Sequence, residues 1–320
     1  MTGTLDQRAN AAAVRSLRRP KPAVDPLRAH GTAIDDERRP NGDIERALTV
    51  FLAGAECPFT CVFCDLWQWT IDGATPKGAL PRQIADSLEA HRGADHIARL
   101  KLYNASNFFD ARAVPPADHP QIAELCAPFA ALTVESHAST IGPPVLRFAR
   151  RLRGRLEVAI GLESIHPTAM ARIGKRMTLD QFDRAADFLR ANDIDLRVFV
   201  LVGTPFVPAN ESLEWTVRTA THAAERGAAL VALIPVRGGN GEMERLASEG
   251  DFVPPALRHL ERALDACVGV TPTVVTADLW DVARFAPCDS CRGERVARLE
   301  RINRSGLAEP PATCAECGGG

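Results

Sequence analysis

Cys57-Pro58-Phe59-Thr60-Cys61-Val62-Phe63-Cys64 follows directly on Ala47-Leu48-Thr49-Val50-Phe51-Leu52-Ala53 and Gly54-Ala55-Glu56. The apolar run has the length and β-branched and aromatic content of a buried strand. The loop after it carries three thiols, separated by three and then two residues. Three thiols at one strand exit can converge on a single inorganic centre. A structural zinc site closes with four protein ligands, whereas a cluster held by three cysteines leaves one iron open for something else to bind. On spacing alone, a zinc loop completed from elsewhere and three reduced core cysteines both stay open.

Outward from this stretch, short apolar runs alternate with amphipathic segments, the pattern of repeated βα units and a parallel sheet. After the first strand and the cysteine loop, Pro81 opens a helix over Arg82–His91, and strands are predicted at Ala98–Tyr103 and Ala131–Glu135 with a helix led by Asp118 between them. Pro143 and Pro144 open the next helix, before a strand at Leu156–Gly161. Thr178 and Gln181 form a capping box, with Phe182, Ala185, Ala186 and Leu189 on one face behind it. A strand at Asp195–Gly203, a helix with Asn210 as its N-cap ending at Gly227, and a strand at Ala229–Pro235 complete six units. Parallel strands joined by right-handed crossovers curl, so the expected fold class is α/β: a partial (βα)6 TIM-like barrel, open rather than closed. A helix around Pro255–Cys267 and the apolar stretch Thr273–Ala277 extend or cap it. The expected organisation is an N-terminal arm (1–45), a core (46–246), a capping extension (247–286) and a Cys-rich tail (287–320).

The arm is rich in Arg, Pro, Asp and Ala without periodicity and reads as loosely ordered; Arg8, Arg15, Arg18, Arg19 and Lys21 lead it. Over the 320 residues the formal charge is only −2, so no global attraction to nucleic acid or anionic membrane follows. No run of about 18 apolar residues exists and the start lacks an apolar secretion core, which predicts a cytoplasmic protein with no membrane partner. Seven of the nine cysteines fall in C-x3-C-x2-C, Cys288-x2-Cys291 and Cys314-x2-Cys317, a usage that suits metal ligation in a reducing compartment. Cys126 and Cys267 lie in helical patterns as small buried hydrophobes.

Functional groups in such barrels gather at the C-terminal ends of the strands. The exits here read Tyr103-Asn104-Ala105-Ser106, Glu135-Ser136-His137, Gly161-Leu162-Glu163-Ser164, Val202-Gly203-Thr204-Pro205 and Ile234-Pro235-Val236-Arg237. With the cysteine loop, this set over roughly Ala47 to Leu246 resembles the radical S-adenosylmethionine (SAM) superfamily. Within it, Tyr-Asn-Ala-Ser-Asn-Phe-Phe-Asp, Val-Glu-Ser-His, Gly-Leu-Glu-Ser and Gly-Lys-Arg-Met-Thr are most similar to the branch of the elongator catalytic subunit and the archaeosine synthase radical SAM subunit, both tRNA modifiers. The resemblance implies a 4Fe–4S cluster on Cys57, Cys61 and Cys64. SAM would chelate its open iron and be cleaved on reduction to a 5′-deoxyadenosyl radical that abstracts hydrogen from an unidentified substrate, a tRNA nucleoside among the candidates. It implies a reductant such as flavodoxin or ferredoxin. By the same resemblance Phe63 lies beside the adenine, and Asn104-Ala105-Ser106 stands where the superfamily usually shows Gly-Gly-Glu, a ridge for the amino group of SAM. Glu163 faces the ribose or amino group, Arg176 or Lys175 the carboxylate, and Val202, Gly203 and Ile234 the adenine. No general acid or base is required, because the cofactor performs the hard step.

The tail is a separate element. Cys288, Cys291, Cys314 and Cys317, with 22 residues between the pairs, have the two-knuckle spacing of a zinc ribbon, and an auxiliary iron–sulfur cluster is the other metal such a set could hold. Arg292, Arg295, Arg298, Arg301 and Arg304 recur between them at every third residue, which walks charge around a helix and predicts a solvated one. A non-enzymatic zinc-binding RNA adaptor, with every cysteine group structural, is the competing class.

Overall fold

The computed structural model describes residues 11–94, 96–270 and 272–317; the first ten residues of the arm, Arg8 included, and the closing glycines lie outside the described residues. The strands are β1 (Gly31–Arg38), β2 (Ile44–Phe51), β3 (Arg99–Tyr103), β4 (Ala131–Glu135), β5 (Arg155–Glu163), β6 (Asp195–Val202), β7 (Leu230–Pro235) and β8 (Val274–Ala277). They form one sheet in chain order. β1 runs antiparallel to β2, and β2 through β8 are parallel. The helices are α1 (Ala11–Ser16), α2 (Ala79–Ala90), α3 (His119–Leu125), α4 (Pro143–Ala149), α5 (Pro167–Arg172), α6 (Leu179–Ala191), α7 (Ser212–Glu225), α8 (Glu242–Ser248), α9 (Leu257–Cys267) and α10 (Asp289–Ser305).

Side-chain pairing across the sheet shows that it is a curled half-barrel. Five strand spacings of about 4.8 Å would separate β1 from β6 by about 24 Å in a flat sheet. Yet Arg197 on β6 donates to Glu37 on β1 over 2.7 Å. The two strands face each other across the concave side. On β5, Val158, Ile160 and Leu162 are fully buried against the helices, while Glu157, Ala159 and Gly161 alternate with them toward the concave side. Glu157, itself fully buried, accepts from Arg39 at 2.9 Å, Arg197 at 2.9 Å and Thr133 at 2.8 Å. Against burial, which pushes its carboxyl up, Arg197, Arg99 and Arg39 pull Glu157 down to about 2. Lys101 pairs with Asp35 at 2.7 Å and Glu37 at 2.9 Å beside this group. The barrel floor is therefore a paired charge network.

The predicted elements fall close to the observed ones, and the capping box of α6 is present on both of its bonds. Of the two alternatives for the apolar stretch at Thr273–Ala277 the structure takes extension: it adds β8 to the sheet, giving seven parallel strands among the described residues. Three differences have physical reasons. Residues 31–38 of the arm form β1 rather than a loose segment. Their alternation is of charge: Asp35 and Glu37 face the interior cations, whereas Asp36 meets Arg304 of α10. Asn210 is not the cap of α7; a turn closed by Glu211 N–H to Pro208 O at 2.9 Å carries the chain on, and Glu211 takes that place. The arginine helix is not solvated throughout, since Arg295 and Arg298 are buried on α10 against Glu261 and Asp265 of α9. No described helix is long and apolar enough to cross a membrane.

Candidate functional site

The exit of β2 is held by a side chain acting as a strand. Gln83 of α2, 1% exposed, accepts from Ala53 N–H at 2.8 Å and donates to Ala53 O at 2.9 Å. The cysteine loop beyond it is fastened from two other exits. Val62 N–H donates to Ile173 O at 3.0 Å, and Asn240 donates to Val62 O at 2.7 Å and to Cys64 O at 3.3 Å. Gly174 sits at φ +77°, where a Cβ would lie 2.4 Å from Thr60 O, so only glycine permits this approach. Val62 is fully buried in a small apolar cluster with Ile173, Leu201, Phe206 and Met243. Arg18 of the arm pairs with Glu56 at 2.7 Å and lies over the Trp67 ring, which covers the outer flank.

The fastened loop turns Cys57, Cys61 and Cys64 toward a cavity of about 820 Å³ at the mouth of the half-barrel, and all three line it. Burial pushes all three thiols up, Cys64 to about 12, so a metal must displace protons to bind. Asn107 lies 3.5 Å from the Cys57 sulfur. Phe59 stacks on His137 at 4.0 Å between centroids, and burial together with the nearby Lys175 charge lowers His137 to about 4. That ring is neutral at physiological pH, and both its nitrogens are engaged, with Ser139 and with Lys175 O.

Of the residues carried over by resemblance, Phe63, Ala105, Ser106, Glu163 and Ile234 line this cavity with the cysteines. Asn104 lies behind it, fully buried, with both side-chain polar atoms unpartnered. Val202, Gly203 and Arg176 are outside the lining; Arg176 is exposed at φ +55°. Its neighbour Lys175 takes the cavity position and pairs with Glu163 at 2.7 Å. Against burial, the Glu163 carboxylate raises Lys175 above the ordinary lysine range. Glu163 stands at a bulge of β5 with φ +67°, and a Cβ on Gly161 would lie 2.0 Å from its carboxylate oxygen. Glycine at 161 makes the room this ion pair occupies.

Glu135, absent from the sequence-derived set, organises the ridge. Its carboxylate accepts from Asn104 N–H at 2.8 Å and also receives the N–H groups of Ala105 and Ser106. Burial pushes Glu135 up to about 7 against the pull of these donors. Ala105 at φ +53° is held in the left-handed region at a cost of about 1 kcal/mol that the carboxylate offsets. A carboxylate ending a buried strand was the signal available in the sequence.

The donor set fits an open cluster. Three thiols face a cavity, and the orphaned Ser106 hydroxyl and the Glu163–Lys175 pair stand on the same lining. The tail differs. Cys288 and Cys291 at the start of α10 meet Cys314 and Cys317, with sulfur separations of 3.8 Å for Cys288–Cys314 and 3.6 Å for Cys291–Cys317, and all four sulfurs lie within 4.8 Å of one another. Four sulfurs about 2.3 Å from one tetrahedral ion lie about 3.8 Å apart. Among the described residues this is the one group of three or more such side chains gathered closely enough to close on a single ion.

No family model matches the chain. A protein of Methanocaldococcus jannaschii, described only as uncharacterized, is 24% identical over 164 residues, covering 49% of this chain and 45% of the relative. Among solved structures, the archaeal Methanocaldococcus infernus Elp3 superposes with a TM-score of 0.52 at 14% identity, over 70% of this chain and 59% of that one. Coproporphyrinogen III oxidase from Escherichia coli, described as a radical SAM enzyme, gives 0.44 at 13% identity over 77% and 52%. The chain thus shares the fold of the Elp3 structure and spans only about half of the relatives it matches.

Proposed function

We propose that this chain is a radical SAM enzyme with a 4Fe–4S cluster on Cys57, Cys61 and Cys64. Within that class, the motif resemblance and the shared fold both favour the elongator-like branch, with a tRNA nucleoside as the substrate class to test first. The observation that carries the reading is the placement of three thiols around a cavity of about 820 Å³ at the strand exits, with no fourth ligand among the described residues gathered onto them. When bound, cluster and SAM together supply, on one-electron reduction, a 5′-deoxyadenosyl radical for hydrogen abstraction. The chain's own residues bind, orient and shield. Glu135 fixes the ridge at Asn104-Ala105-Ser106, whose Ser106 hydroxyl is free to meet a polar ligand. Lys175 offers positive charge to a carboxylate and Glu163 offers negative charge to an amino group, each neutralised by the other until a ligand arrives. Phe63 and Ile234 supply apolar surface for a planar ring. The charges of the floor are met by opposite charges, which limits what would draw water toward the reacting centre.

The tail supports one zinc ion rather than a second cluster. A cubane binds each cysteine to a different iron and holds the sulfurs wider apart than one ion does, whereas these four are gathered at single-ion spacing. The RNA-adaptor reading needs a fourth ligand for the first loop and is the poorer account. Protein purified without oxygen should be brown and release 5′-deoxyadenosine from SAM when reduced. Colourless protein carrying zinc alone would overturn the enzyme reading. Addition of unmodified tRNA to the reduced enzyme tests the substrate class, by a mass change in its nucleosides.

A further inference from the structure

The half-barrel has two free edges, β1 and β8, and α10 packs against both. Its contact with β8 is made by backbone mimicry. Asn303 accepts from Ala277 N–H at 2.8 Å and donates to Ala277 O at 2.8 Å, giving the strand's outer side the pair of bonds that a ninth strand would give. On the other side Arg304 pairs with Asp36 of β1 at 2.9 Å. Between these anchors Glu300, Asn303 and Arg304 line the same cavity as the cysteine loop. A second face of the helix is packed: Leu299 and Ile302 are fully buried, and Arg295 donates to Glu261 of α9 at 3.0 Å, while Glu294 and Arg301 stay on an exposed face.

The segment after α10 returns along it. Arg298, 1% exposed, donates to Asp265 at 2.7 Å and to Pro310 O at 2.9 Å, with Glu309 O as a further acceptor. Cys314 and Cys317 then reach Cys288 and Cys291 at the start of the helix. The four sulfurs therefore close a loop of chain that has α10 as one side.

We infer that α10 is the closing wall of the substrate chamber, that a single divalent ion on Cys288, Cys291, Cys314 and Cys317 fastens it across the β8–β1 seam, and that Glu300 and Arg304 present the wall's substrate contacts. The inference rests on reading the cavity as the chamber and the tail as a one-ion site. It gives the tail a task that a free-standing zinc knuckle would not have. Metal binding to the four thiols is folding free energy for the segment they join, so losing the ion should loosen the seam.

The test uses the full-length protein with its iron in place. In Cys314→Ser, zinc content should fall from one per chain to near zero while iron is retained. Amide hydrogen exchange at Val274–Ala277 and along α10 should then quicken about tenfold or more relative to β4 and β5. Wild-type protein stripped with a zinc chelator and then given zinc back provides a second measurement that does not depend on the variant's folding: protection at β8 should be lost and restored. Asn303→Ala should quicken exchange at Ala277 with zinc unchanged. Loss of zinc with β8 and α10 protection untouched would overturn the fastening role, and a second set of four irons with inorganic sulfide at the tail, in place of one ion, would overturn the single-ion site. None of these readouts depends on SAM cleavage, so they stand or fall separately from the enzyme reading.

Discussion

Two cysteine groups in one chain are built on opposite plans. In the tail, four sulfurs converge to within 4.8 Å of one another on a helix start and a returning segment. At the exit of β2, three thiols are spread around the edge of a cavity, with their loop fastened by Gln83, Ile173 and Asn240 and no fourth ligand gathered onto them among the described residues. The difference separates closure from access. A closed ligand set stabilises the chain around it, and an open one depends on the chain to stay in place.

That contrast can be broken or sharpened by substitution. The largest effect is expected for Cys61→Ala, which should reduce 5′-deoxyadenosine formation to background and leave zinc at one per chain; parallel loss of both metals would mean the two groups are not independent. Lys175→Met leaves the Glu163 carboxylate, 6% exposed, buried without its counter-charge. Breaking a buried pair costs roughly 3–5 kcal/mol, so the urea midpoint should fall and SAM binding weaken while zinc is unaffected. An unchanged midpoint would show that Lys175 and Glu163 are solvated.

Acid should act next, through the floor of the open site. Glu157 has a folded value depressed to about 2, below its ordinary 4.5. Its contribution is therefore full above that ordinary value and is lost as pH falls from about 4.5 through 2, about 3 kcal/mol in all. Glu157→Gln should flatten the loss of stability across that window; a wild-type curve already flat there would count against the network. The smallest effect belongs to Arg301→Ala on the exposed face of α10, where the melting temperature should stay within error of wild type. A clear drop would mean that the outer arginines also hold the tail.

Local signals were legible in the sequence. Strand β4 and the capping box of α6 lie where pattern and cap chemistry place them, and the cysteine spacings mark both cysteine groups. Long-range bonds were not. Gln83 reaches back 30 residues to Ala53 and Asn240 reaches 178 to Val62, and neither carries a local pattern. Lys175 and Arg176 are adjacent cations, and only the backbone turn at Arg176, φ +55°, decides which one enters the cavity. The buried face of α10 had a readable trace: Glu261 and Asp265 stand four apart on α9, facing Arg295 and Arg298. β1 was missed because its alternation is written in charge, which has meaning only once Lys101 and Arg197 face it.

The seam between β1 and β8 also sets an order of assembly on the ribosome. Asp36 waits 268 residues for Arg304, and Glu37 waits 160 for Arg197. At about 5–20 residues per second, the first strand is made roughly 10–60 s before its last partner emerges. Nascent chains halted ahead of Arg197 should therefore leave β1 open to protease, and protection should rise in two steps as each arginine clears the exit tunnel; full protection before the first step would refute this order.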